Sequence, residues 1–120
     1  MKGSKFFDTV LDDRIRSASG VLAEADRFPF RDRLKEDLAA ELALYSNLKR
    51  LIATGVPPQA SFPVDSQIVI SLRTMIDLWR DRILIEADDL PIPDTEKQAL
   101  RDTIKTGESL RHYLDAYPVR

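Results

Sequence analysis

RDRLKEDLAAELALYSNLKRLIATG, residues 31–55, decides the fold. Leu34, Leu38, Leu42, Tyr45, Leu48 and Ile52 recur at three- and four-residue steps, which traces one face of an α-helix. Ala, Leu, Glu and Lys, all strong helix formers, fill most of the other positions. Gly55 stands where a left-handed residue would end the helix. A helix with one apolar face must bury it against other elements.

The flanking sequence repeats the pattern. Seven Pro fall in clusters at 57, 58 and 63 and at 91 and 93, with Pro29 and Pro118 alone. Pro breaks helix interiors, so these positions divide the chain into four segments of similar length. The first carries Phe7, Leu11, Ile15, Ala18, Leu22 and Ala25 on one face, with a possible break at Gly20. The third carries Ile68, Leu72, Met75, Ile76, Trp79 and Ile83, capped by Asp65 or Ser66. The fourth carries Leu100, Ile104, Leu110, Leu114 and Tyr117, capped by Asp94 or Thr95. Gly107 lies mid-face, where a neighbouring helix can approach closely. The expectation is a single domain over 1–120, an all-α, four-helix antiparallel up-down bundle with helices at about 4–27, 31–54, 66–89 and 94–117. The 55–64 connection either turns tightly or crosses the end of the bundle. Phe62, which joins no stripe, is expected to cover that end.

Each stripe has one charge set into it: Arg14, Glu41, Glu86 and Arg111. An ion in a dry core costs several kcal/mol unless it is paired. Counting from the 28–30 corner puts Arg14 and Glu41 at one level, so they are expected to pair. Arg111 is expected about one turn lower, close enough to share Glu41. Glu86 is expected to reach solvent. The third helix has a second apolar line, Ile70, Leu78 and Ile85 with Thr74 between, on the side away from its main stripe. That line either packs within the bundle or meets a partner.

Composition removes several classes of function. Net charge is -2, with acids and bases interleaved, so nucleic-acid binding is not expected. No apolar run approaches the roughly 20 residues that span a bilayer. Asp8, Asp12 and Asp13 interrupt what would be the apolar core of a signal peptide, and the chain has no Cys. A cytoplasmic setting is expected. No P-loop, Gly-x-Ser-x-Gly or paired Glu-x-x-His motif is present. His112 is followed by Tyr113-Leu114-Asp115-Ala116, without the Lys and Gly of a histidine phosphotransfer motif. Glu108, His112 and Asp115 share a face at metal-binding spacing, but one His on an open helix reads as solvated surface. No metal and no cofactor is expected.

These residues point to a helical module that binds another protein and itself as a homodimer, through Ile70, Thr74, Leu78 and Ile85. The alternative is an enzyme or small-molecule-binding bundle. In it Arg14 and Arg111 would hold an anion and Glu41 would act as base.

Overall fold

The computed structural model describes residues 5–60, 62–89 and 91–120, with side chains given outside 83–89. Four helices carry it: α1 Lys5–Ala23, α2 Arg31–Thr54, α3 Ser66–Asp89 and α4 Asp94–Asp115. This is the all-α four-helix antiparallel bundle that the stripes predict. α1 runs through Gly20 and stops at Ala23, short of the expected Arg27, and a single 3-10 turn, Ala25–Arg27, completes the corner. Gly55 ends α2 at φ 71°, its N–H donating to the Leu51 carbonyl at 2.8 Å. At the start of α3, Asp65 accepts from the Gln67 N–H at 2.8 Å, as a capping carboxylate should. The start of α4 corrects the expected cap. Pro93 holds that position, and its carbonyl accepts from the Glu96 and Lys97 N–H groups.

Each helix packs antiparallel to both neighbours, in the cyclic order α1, α2, α4, α3. Lys49 meets Asp12 between α2 and α1. Asn47 donates to the Tyr113 hydroxyl between α2 and α4. Arg111 meets Asp77 between α4 and α3, and Arg14 donates to Ser71 between α1 and α3. The 55–65 connection therefore neither turns tightly nor crosses the end. It runs back along α2 as a strap. Gln59 lies at Asn47, Phe62 and Pro63 lie beside Ala39 and Ala40, and Val64 pairs in parallel with Val119. Val64 donates to the Pro118 carbonyl and accepts from Arg120, whose side chain reaches Asp37. From Thr54 back to Asp37 is ~25 Å of helix at 1.5 Å per residue. An extended chain of this length spans that distance. Phe62 is 59 % exposed and lies on the flank of α2, not over an end of the bundle.

The two helical hairpins are offset. Phe7, near the start of α1, is level with Trp79 and Gly107, so the α3–α4 corner extends beyond α1 and α2. The molecule measures 55 × 25 × 22 Å, longer than any one of its helices. Phe7, Leu44, Val64 and Leu72 are fully buried. The core of α2 is wider than its sequence stripe, taking in Ala40, Leu44 and Leu51 as well. α1 covers one side of α2, and α4 with the strap covers another, so more of the circumference is dry. On α4, Thr103 and Thr106 are buried, and their hydroxyls return to the Ala99 and Asp102 carbonyls of the same helix.

Candidate functional site

The inset charges fall into two separate groups. Between α1 and α2, the Tyr45 hydroxyl donates to Glu41 Oε1 at 2.5 Å. The Arg14 guanidinium lies beside the same hydroxyl and donates to Ser71 Oγ at 3.0 Å. Arg14 and Glu41 line one groove, but the ion pair expected between them is not formed, because the Tyr45 phenol stands between them and Arg14 turns to Ser71. Burial, reinforced by the bond to Glu41, pushes the Tyr45 phenol up to about 12, with Arg14 pulling the other way. A groove of about 310 Å³ opens over this cluster, with Asp13 and Ser17 on its edge. Two acids and one base line it.

Arg111 is elsewhere, between α3 and α4. It pairs with Asp77 and, at 3.2 Å, with Asp115. Arg73 approaches Asp115 at 3.0 Å, although its N–H is not aligned for a hydrogen bond. Arg80 joins Asp77 at 3.6 Å. The expected sharing of Glu41 counted the 28–30 and 91–93 corners from one end of the bundle. The strap turns the second hairpin end for end, so the two corners lie at opposite ends and Arg111 meets Asp77 instead. The Glu86 side chain lies outside the described residues.

The second apolar line of α3 is open. Ile70 is 47 % and Leu78 67 % exposed, and Thr74 is exposed between them. Ile85, expected to continue it, has its side chain outside the described residues. Beside this line Phe6 stacks on Trp79, with ring centroids 5.0 Å apart.

A cleft of about 720 Å³ lies over the side of α4 that carries Glu108 and His112. Its walls are the last turn of α2 with Leu51 and Gly55, the strap with Pro57 and Ala60, and one face of α4. On the α4 side Tyr113, with Ala116 and Tyr117 just past the helix end, bring apolar surface, and Lys105, Glu108, Ser109 and His112 bring the polar groups. Tyr113 fastens the strap: its hydroxyl donates to the Pro58 carbonyl at 3.0 Å and accepts from Asn47 at 3.2 Å. Asn47 also reaches the Gln59 carbonyl. Burial pushes the Tyr113 phenol up, opposed by Asn47. Burial likewise pushes the Tyr117 phenol up, with Tyr113 adding to it. The Tyr117 hydroxyl is buried without a hydrogen-bond partner. No protein-family model, curated protein or solved structure matches this chain.

A mostly apolar cleft with a few convergent polar groups is the usual form of a small-molecule site. Glu108 and His112 belong to it, but Asp115 does not, because it faces Arg73 and Arg111. Among the described residues, no group of three His, Cys, Asp or Glu side chains is placed to hold a metal. The same helices include none long and apolar enough to cross a membrane. Sequence reasoning missed this cleft because its second wall is the strap. The available signal was Gly55-Val56-Pro57-Pro58, a stiff non-helical run leaving the end of α2.

Proposed function

We propose that this four-helix bundle is a small-molecule-binding protein whose ligand sits between α2, the strap and α4. The observation that carries this reading is the 720 Å³ cleft with mostly apolar walls and a polar edge. The groove over Arg14 and Glu41 is not the site proposed. Asp13 and Glu41 outnumber Arg14 there, so an anion would meet repulsion, and Arg111 is engaged with Asp77. The test uses 1-naphthol as the probe. Its titration is expected to shift NMR signals of His112, Tyr113 and Tyr117. Ala116→Trp fills the cleft from an exposed position at the end of α4. It should weaken binding by about thirtyfold, ~2 kcal/mol, while thermal stability stays within ~0.5 kcal/mol. Shifts confined to other surfaces would end this reading.

A second reading is supported by the exposure of Ile70 and Leu78 beside the Phe6–Trp79 stack. In it, Ile70, Thr74, Leu78 and Ile85 form the face through which two copies associate. Light scattering should then give twice the chain mass, and Leu78→Lys should give the single-chain mass with unchanged helix content. A single-chain mass for the wild type at about 100 μM would dispose of it.

A further inference from the structure

Each of the three tyrosines carries a hydroxyl away from open solvent, and two of those hydroxyls are satisfied. Tyr45 donates to Glu41, and Tyr113 both donates to Pro58 and accepts from Asn47. Tyr117 is the exception: it lines the cleft, is 6 % exposed, and its hydroxyl has no partner. Native structures rarely leave such a group unpaired, and each instance asks for a reason.

The charges around the cleft also restrict what it can hold. Lys105 and Glu108 are one helical turn apart, and His112 is one turn further along. The C-terminal carbonyls of α2 end at Gly55, adding partial negative charge on the opposite wall. An anion near Lys105 would meet Glu108 and the end of α2, and a cation near Glu108 would meet Lys105 one turn away. Neither sign of charge finds a cluster of opposite charge in the cleft.

Resting on the ligand-binding reading above, we infer that the cleft selects an uncharged, largely apolar molecule with one hydrogen-bonding group. The Tyr117 hydroxyl is the anchor for that group. The hydroxyl is itself buried at the edge of the cleft, so a ligand reaches it by shifting the cleft wall. The strap is the wall taken to shift: among its described residues between Gly55 and Val64, side chains of the helices hold it at Val56 through Thr54 and at Pro58 and Gln59 through Tyr113 and Asn47.

The test is a matched pair of probes, 1-naphthol and 1-methylnaphthalene, titrated into the wild type and Tyr117→Phe. The variant should bind 1-naphthol about three- to tenfold more weakly, the value of one hydrogen bond, and 1-methylnaphthalene within about twofold of wild type. Its own melting temperature should equal or exceed that of the wild type, because an unpaired buried hydroxyl has been removed. 1-Naphthoate and 1-naphthylmethylammonium should both bind the wild type more weakly than 1-naphthol. Equal losses for the matched pair, or no loss for 1-naphthol, would overturn the anchor. Tighter binding of either charged probe would overturn the preference for an uncharged ligand. Failure of both 1-naphthol and 1-methylnaphthalene to bind the wild type would instead remove the ligand-binding reading itself.

Discussion

Phe7→Ala lowers the unfolding free energy by about 3–5 kcal/mol, the range for emptying a fully buried aromatic site. Phe7 is 0 % exposed. Its ring meets Trp79 edge-on at 4.8 Å and Phe6 edge-on at 5.4 Å. On its far side Gly107 brings α4 in so closely that a Cβ there would lie 3.2 Å from Phe7 Cζ and 3.6 Å from Ile76 Cγ2. Three helices thus meet at this ring, and removing it leaves a cavity that none of them fills without shifting. Trp79 is the only tryptophan, so urea unfolding followed by its fluorescence reads the affected site directly.

The same contact makes Gly107→Ala a sensitive partner. Ala is favoured over Gly in a helix interior by about 1 kcal/mol. Against that, the new methyl presses on a ring with no room to retreat, and overpacking costs about 1–3 kcal/mol. In the wild type the expected net is a destabilisation of about 1 kcal/mol. In the Phe7→Ala background the obstruction is gone, and the same substitution should stabilise. A double-mutant cycle with this change of sign would place Phe7 against Gly107. Additive effects would separate them.

Raising the pH from 10 to 12 should cost about 2 kcal/mol of stability through Tyr45. Its phenol is held at about 12 in the folded chain against 10.0 for an unperturbed tyrosine. Below pH 10 both states keep the proton and the contribution is fully present. Between the two values the unfolded chain releases its proton while the native chain retains it, so stability falls as pH rises. Above about 12 the loss levels off. A shift of this size corresponds to about 1.4 kcal/mol per unit. Tyr113 and Tyr117 are raised as well and act in the same direction. Tyr45→Phe is the control. Its stability should decline less over this interval, so the gap between wild type and variant narrows above pH 10. A gap that stays constant to pH 12 would mean that Tyr45 is not held by burial and by Glu41.

Much of the bundle was legible in residues 31–55 and their neighbours. The spacing of Leu38, Tyr45, Leu48 and Ile52 reports a buried face, and those residues are buried. Gly55 and Asp65 announce a helix end and a helix start through backbone chemistry that acts within a few residues. The level of Arg14 against Glu41 was readable too, because the 28–30 corner joins their helices and fixes the count. Arg111 was misplaced because no short corner ties α4 to α2. Its level depends on the course of the chain between α2 and α3, which turns the second hairpin end for end. The cleft was missed for a related reason. Glu108 and His112 look like solvated residues on the wheel of α4, and become the edge of a cavity only once the strap passes over that face.

Helix existence, the Gly55 and Asp65 boundaries and the centre of each inward face were therefore determined locally, since hydrogen bonding and side-chain periodicity act over one or two turns. The offset of the hairpins, the course of residues 55–65 and the cleft beneath them came from contacts between distant parts of the chain. Val64 with Val119, Arg120 with Asp37 and Phe7 with Gly107 are the decisive ones. Such contacts depend on shape-matched packing across helices, and a linear pattern of apolar and polar residues does not encode which surfaces will meet.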